Sequence, residues 1–370
     1  MPIANLVFRV DGGPLIGSGH VVRCLTLAQK LRQSGYKCQF VTRPDSGSLI
    51  DRIRASGFEV TVLAERVQLP EAGRHDTWLG DWKADAEAFG RAIAALPKDK
   101  LFVIADHYGI DHRWESCVRE MSSGLFVIDD LADRRHVCDV LIDQNLGRAA
   151  GDYAALIPDG CELLCGPSFA LLRDGFSTVR DRSIETKRAK TMPVRYLVSM
   201  GGADRDNFSA VALAAIEQVA AKGANVEHVD ILLGGIAGQV EELRARINAS
   251  PLQATLHIDS DQVPQLMAAA DLAIGAAGTT LLERLVVGLP AIVLANASNQ
   301  VRLLGLVEEY GLGLYAGWVN EVSSQDLART ITSVASDPGK WQDMVVNSSR
   351  LCDGEGCEKV AQAVRLRVGS

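Results

Sequence analysis

No window of the 370-residue sequence approaches 18 uninterrupted apolar residues, so no segment is expected to span a bilayer. The N-terminal stretch MPIANLVFRVDGG has no charged region followed by an apolar core, and no secretory signal is expected. Positive charge is not in excess: 38 Lys and Arg stand against 46 Asp and Glu, a formal net charge of −8. That balance is a poor match for general binding to nucleic acid or to an anionic membrane, although local basic spots stay open. Neither His-Glu-x-x-His nor Gly-x-Ser-x-Gly occurs, which removes the usual zinc-hydrolase helix and the serine nucleophile elbow. Eight cysteines lie at Cys24, Cys38, Cys117, Cys138, Cys161, Cys165, Cys352 and Cys357. The close pairs Cys161/Cys165 and Cys352/Cys357 lack the nearby Cys or His partners of a zinc site. Reduced core or helical thiols in a cytoplasmic protein are the expectation.

What is there is an ordinary globular composition, 47% hydrophobic and 23% charged. At roughly 150 residues per domain, the length suggests two domains, with core enough to need no staples. Leu6–Val10 is a short apolar run followed by a glycine-rich loop, Asp11 to Gly19. His20 to Ser34 then places Val21, Leu25, Ala28 and Leu31 at helical spacing, with Gly35 as a stop. Strands are expected at Cys38–Thr42, Phe58–Leu63, Leu101–Ala105, Leu125–Ile128 and Val140–Ile142, and a helix over Leu49–Ser56. This alternation predicts a parallel, doubly wound sheet. A polar, charged stretch, Arg180–Arg188, reads as the linker. A second series follows it, with strands at Arg195–Ser199, Val229–Leu233, Ala254–Ile258, Leu272–Ile274 and Ala291–Leu294, and a helix over Asn207–Lys222. The expected α/β architecture is two facing Rossmann-like domains, 1–180 and 181–350, with a cleft between them. A helix at 351–370 is expected to return to the first domain.

Three loops could carry chemistry. The first, Asp11-Gly12-Gly13-Pro14-Leu15-Ile16-Gly17-Ser18-Gly19-His20, joins the first strand to the first helix. Its glycines permit close backbone approach, and amides at a helix start favour anions. It is not the dinucleotide fingerprint, because Val22 stands where the third glycine belongs. His20, in the first helical turn, has its cationic form disfavoured by the helix dipole and is a candidate base; simple capping or packing is the competing reading. The second loop, Ser199 to Asn207, could hold a diphosphate through Gly201 and Gly202 and pin a hydroxyl or amide with its acids; a plain turn is the alternative. In the third, Gly278-Thr279-Thr280 opens a helix suited to a phosphate. Glu283 there either accepts from ribose hydroxyls or closes a capping box with Thr280. Asp129, Asp130 and Asp133 are expected as capping and surface carboxylates, with magnesium the lesser option.

The order of Gly-x-Gly-His, a central Gly-Gly loop and Gly-Thr-Thr-x-x-Glu with Gly288-Leu289-Pro290 resembles nucleotide-sugar enzymes of the glycosyltransferase B fold. More specific strings are Arg9-x-Asp11, Asp106-His107-Tyr108-Gly109, Ile128-Asp129-Asp130-Leu131, Asp143-Gln144-Asn145 and Gly166-Pro167-Ser168-Phe169. Together they resemble the UDP-2,4-diacetamido-2,4,6-trideoxy-β-L-altropyranose hydrolases of pseudaminic acid biosynthesis, from Leu6 to about Val360. The resemblance implies water attack at the anomeric carbon, carbon–oxygen cleavage with inversion and release of UDP, with no metal and no cofactor. It makes His20 the base. It puts uracil against the Ile258 backbone, the diphosphate at Gly201, Gly202, Gly278, Thr279 and Thr280, and the ribose at Glu283. The sugar falls near His20, Asp11, Tyr108, Asn299 and Gln300; Gly17 and Gly19 count as substrate-binding, and Arg23 meets either a phosphate or a carboxylate. Trp78 and Trp82 either roof the sugar or pack. The expected partners are a UDP-sugar and water, and the expected state is a monomer. A glycosyltransferase, a nucleotide-sugar 2-epimerase and a non-catalytic nucleotide-sugar-binding module are the rival readings; the broken fingerprint disfavours NAD chemistry.

Overall fold

The computed structural model describes residues 4–13, 16–65, 75–201, 204, 206–235, 239–296 and 300–369. The chain divides into two compact units, Met1–Leu172 with Glu355–Ser370, and Arg173–Gly354.

In the first unit, among the described residues, seven strands form one parallel sheet: β1 (Asn5–Val10), β2 (Lys37–Thr42), β3 (Glu59–Val62), β4 (Leu101–Asp106), β5 (Gly124–Ile128), β6 (Val140–Asp143) and β7 (Glu162–Cys165). Their order is β3-β2-β1-β4-β5-β6-β7. The chain therefore winds outward from β1 and returns on its other side, so the order reverses between β1 and β4, where Val10 lies opposite Asp106. Both faces are covered, which explains why the strands read as continuous apolar runs. Leu6, Phe8 and Val10 point one way, against Val21, Cys24 and Ala28 of the helix Gly19–Gln33 and Cys357, Val360 and Val364 of the C-terminal helix Gly356–Gly369. Val7, Val103, Leu125 and Val127 point the other way, against Phe89, Ile93, Trp114 and Val118.

The second unit holds β8 (Arg195–Ser199), β9 (His228–Leu233), β10 (Ala254–Ile258), β11 (Leu272–Ala276), β12 (Ala291–Ala295) and β13 (Gly313–Trp318). Their order is β10-β9-β8-β11-β12-β13, again parallel, with the reversal between β8 and β11. The core gathers Tyr196, Val198, Ile231, Ile274 and Ile292 around Leu213, Ile216, Leu327 and Trp341.

Two edge strands, β7 and β13, were not expected. The first is four residues long and begins with Glu162; the second contains two glycines, and its partner β12 shifts register at Val293/Leu294. The expected linker is a correction. Arg180–Arg188 lies within the helix Asp174–Arg188, whose Phe176, Ser183, Ile184 and Lys187 are buried. Apart from the buried Lys187, its charges form the outer face of an amphipathic helix, and Lys187 and Arg188 are placed favourably in the last turn. The chain passes between units earlier, at Leu172/Arg173. Among the described residues no helix is long and apolar enough to cross a membrane.

The C-terminal helix is thus core for the first unit. Val360→Ala should cost on the order of 2 kcal/mol in urea unfolding, whereas Leu366→Ala, at a site 67% exposed, should stay within about 0.5 kcal/mol. Equal costs at the two sites would contradict this packing.

Candidate active site

Ligands of open α/β sheets bind beyond the strand C-termini where the strand order reverses. In the first unit that point is occupied by the loop after β1 and the residues after β4. Gly13 and Gly17 close the loop on itself by paired backbone hydrogen bonds of 3.1 and 2.8 Å. Gly17 has φ +88°, and a Cβ at Gly13 (φ +137°) would lie 2.4 Å from the Asp45 carbonyl, so this turn requires glycine. The loop delivers His20 in the first turn of the helix Gly19–Gln33, whose N-cap Ser18 makes no side-chain cap.

His20 Nδ1 lies 2.6 Å from Oδ1 of Asp106, the last residue of β4. Arg23, one turn further along the same helix face, donates from Nε and Nη2 to both oxygens of Asp106, each at 2.6 Å. Burial works against the Asp106 anion, but Arg23 first, then His20, hold it well below the usual carboxylate range. An ionised carboxylate only accepts, so in the neutral imidazole the contact favours the tautomer with the proton on Nδ1 and Nε2 as the acceptor. Arg23 also reaches Asp130 at 2.8 Å. Asp130 accepts from Tyr108 Oη at 2.8 Å and from Asn145 Nδ2 at 2.9 Å. The Tyr108 ring meets His20 edge-on, with centroids 4.5 Å apart, and Trp78 stacks on Tyr108 at 5.5 Å. Burial and then Asp130 push the Tyr108 phenol well up, so it stays a hydrogen-bond donor. The result is an imidazole fixed on two sides, with 6% of its surface open.

A second buried network supports the first. Arg9, on β1, is bidentate to Asp11 at 2.6 and 3.0 Å and reaches Asp85 at 2.8 Å. Asp85 also accepts from Arg43 and from Trp114 Nε1. Asp11 corrects an expectation. It is fully buried and takes hydrogen bonds from Arg9, the Arg43 amide at 2.9 Å and Thr42, so it braces the loop and presents no face to a sugar. Arg23 takes the carboxylate alternative, being closed between Asp106 and Asp130. Asp129 and Asp130 are not surface groups either. Asp129 is fully buried, accepting from the Leu131 and Ala132 amides and from Tyr153 Oη, while Asp133 is exposed beside Arg134. Asp143, at the end of β6, accepts from Asn145, Tyr153 and Arg148, and is pushed up to about 6 by burial and then by Asp130. Among the described residues no group of three or more His, Cys, Asp or Glu is placed to hold a metal.

Sequence reasoning assigns no role to Asp106 and Asn145, and to Asp130 only a capping, surface or magnesium-binding one. A strand-end aspartate 86 residues from its histidine becomes a partner only through the β1–β4 pairing.

In the second unit the reversal point lies between Ser199–Gly201 and Ala276–Thr280. Gly201 has φ +91°; Gly202 and Asn299 lie outside the described residues. Asp204 accepts from the Phe208 and Ser209 amides at the start of the helix Phe208–Ala221. Gly278 is the N-cap of the helix Thr279–Val286 with no side-chain cap, which removes the capping-box reading of Glu283. Gly278 and Thr279 are exposed. Glu283 pairs with Arg173 at 3.8 Å, and its carboxyl is raised by burial, with Arg173 opposing. Ile258, the last residue of edge strand β10, is 39% exposed. Gln300 accepts from the Asn296 amide at 3.1 Å.

Two parallel Rossmann-like units are the glycosyltransferase B fold, and solved structures of that class match over the whole chain. MurG of Acinetobacter baumannii gives a TM-score of 0.69 at 14% identity, covering 98% of this chain and 99% of that one. CalG4, the calicheamicin glycosyltransferase, gives 0.61 at 15% identity, covering 100% and 99%. More particular likenesses come from sequence. The chain is 28% identical over 207 residues to the UDP-2,4-diacetamido-2,4,6-trideoxy-β-L-altropyranose hydrolase of Campylobacter jejuni, which covers 55% of this chain and 63% of that protein's length. It is 24% identical over 354 residues to the spore coat polysaccharide biosynthesis protein SpsG of Bacillus subtilis, covering 95% and 94%. No family model matches the chain.

The Asp106 anchor has a stability signature. Folding lowers its pKa, so its contribution is present above the ordinary carboxylate value of about 4 and lost as pH falls through the lower folded value. Asp106→Asn should cost on the order of 3 kcal/mol at pH 7, and the gap from wild type should narrow below about pH 4. Denaturant unfolding at a series of pH values reads this directly; a gap that stays constant into acid would show that the carboxylate's charge is not what anchors the site.

Proposed function

We propose that this protein hydrolyses a UDP-linked sugar, and specifically UDP-2,4-diacetamido-2,4,6-trideoxy-β-L-altrose, as a step in pseudaminic acid biosynthesis. His20 Nε2 takes a proton from water while the water oxygen bonds to the anomeric carbon. The bond from that carbon to the diphosphate oxygen breaks, UDP leaves with the electron pair, and the centre inverts. UDP is already a good leaving group, so one base and electrostatic support for the departing diphosphate suffice, without metal or cofactor.

The observation that carries this reading is the His20–Asp106 pair at a strand-reversal point: a histidine whose Nδ1 is held by a buried carboxylate at 2.6 Å, leaving Nε2 as a base. The similarity to the C. jejuni hydrolase supports the choice of hydrolysis and of sugar. Tyr108 is assigned to the sugar beside His20, along with the Gly17–Gly19 loop. UDP is assigned to the second unit: uracil at the Ile258 backbone, the diphosphate at Gly201, Gly278, Thr279 and Thr280, and the ribose at Glu283. A transferase or 2-epimerase on the same fold is the competing activity, and a binding module without turnover the competing class.

The test is incubation with UDP-linked diacetamido sugars, with and without EDTA, followed by NMR. Free sugar of inverted anomeric configuration plus UDP is expected in both. UMP with a sugar phosphate would sink carbon–oxygen cleavage, and an epimerised UDP-sugar would favour the rival. His20→Asn should lower kcat by about 10²–10⁴ and leave the Kd for UDP within about threefold. A parallel fall in UDP affinity would remove His20 as the base.

A further inference from the structure

The helix Thr279–Val286 carries a second charged residue that the UDP reading does not use. Arg284 is fully buried. Its side chain runs back toward the helix N-terminus, as helical side chains do. There Nη1 meets the Ala276 carbonyl and Nη2 the Ser199 carbonyl, each at 3.3 Å. Those carbonyls belong to the last residues of β11 and β8, the two strands at the reversal point. Room for the guanidinium is made by Gly275: a Cβ there would lie 2.5 Å from Nη2 and 2.0 Å from the Ser199 oxygen.

The cation is poorly compensated. Nε has no hydrogen-bond partner, and no ion pair reaches the group among the described residues. Two long bonds serve five donor hydrogens. Lys187, also buried in this unit, contrasts with it: its ammonium has three acceptors, Ser183 Oγ at 2.6 Å and the Ala268 and Met267 carbonyls at 2.8 and 3.4 Å. Burial lowers Arg284 to about 10, with Glu283 opposing, so it remains charged at neutral pH. A buried guanidinium in this state is costly unless an anion shares its field.

We propose that Arg284 is a positioning residue for a diphosphate, its charge acting from beneath the ends of β8 and β11 on an anion seated at Gly201 and Gly278–Thr280. The assignment rests on the UDP reading above and adds a source of affinity to it. The field of Arg284 adds to that of the helix N-terminus, whose first amides carry no side-chain cap. Arg284 itself stays in the interior and holds the two loop ends through their carbonyls.

The test is calorimetric titration of wild type, Arg284→Lys and Arg284→Gln with UDP, uridine and inorganic pyrophosphate. Arg284→Gln should weaken UDP by about 10- to 100-fold and uridine by less than about threefold. Arg284→Lys, which keeps the charge and not the planar fork, should recover most of the UDP affinity. Equal losses for UDP and uridine, or a lysine variant as weak as the glutamine one, would reduce Arg284 to a structural strut and overturn the proposal. If the glutamine variant does not fold, the wild type still decides. An exchange-protected arginine Nε–H resonance, missing in Arg284→Lys, should shift on adding UDP or pyrophosphate and not on adding uridine; no shift overturns the proposal. A wild type that binds pyrophosphate through Arg284 yet ignores UDP would retain the anion site and reject the UDP reading.

Discussion

The first unit's site depends on one carboxylate. Asp106 sits at the end of a central strand with no solvent access, and it is shared between an imidazole and a guanidinium on the same helix face. Remove its charge and three things loosen together: the tautomer of His20, the position of Arg23, and through Arg23 the Asp130–Tyr108–Asn145 arm. A buried anion is tolerable only with this much compensation. Its neighbours are accordingly arranged in alternating sign: Arg23 lies between Asp106 and Asp130, and Arg9 between Asp11 and Asp85. The glycine loop after β1 serves the same end. It bends the chain so that the first helix begins where His20 can reach across to β4.

The two units follow one topological rule with different residues at the reversal point. In each, the chain winds outward from a central strand, returns on its other side, and leaves two loops facing at the reversal. After β1 and β4 those loops bear side chains that titrate or donate. After β8 and β11 they bear glycines, small hydroxyls and an uncapped helix start. Backbone amides suit a large delocalised anion, and a fixed imidazole suits a single proton; the two sets of residues divide along that line.

Much of this was legible in the sequence because much of it is local. Strands such as Leu101–Ala105 are uninterrupted apolar runs bounded by polar turns, and the structure extends them by a residue or so. His20 could be found from its place behind Gly17 and Gly19. What escaped was non-local or disguised. β7 and β13 are edge strands, short or glycine-bearing, with little side-chain pattern to read. Arg180–Arg188 is rich in charge and so resembles a linker, yet four residues of its helix are buried, spaced along one face. Asp129 and Asp130 look like surface acids until Tyr153, Arg134 and Arg23 close over them. Arg284 carries no signal in the sequence, because a buried arginine in an amphipathic helix reads as a surface charge until the facing carbonyls are known.

The distribution of buried cations resolves the difficulty posed by a net charge of −8. A chain of that sign gains nothing from its overall field when it meets a diphosphate. In the first unit the buried arginines are neutralised at close range: Arg9 by Asp11 and Asp85, Arg23 by Asp106 and Asp130, Arg43 by Asp85. Such pairs have short-range fields and offer little to an incoming anion. Arg284 has only two carbonyls as hydrogen-bond partners and no carboxylate at ion-pair distance among the described residues, although Glu283 next to it in sequence acts on it electrostatically. A protein can therefore be acidic as a whole and still attract an anion, if its carboxylates pair closely where a base must be oriented and stay out of ion-pair distance where a phosphate must be held. The sign of the whole molecule then bears on its solubility, and the compensation of individual buried charges bears on its chemistry.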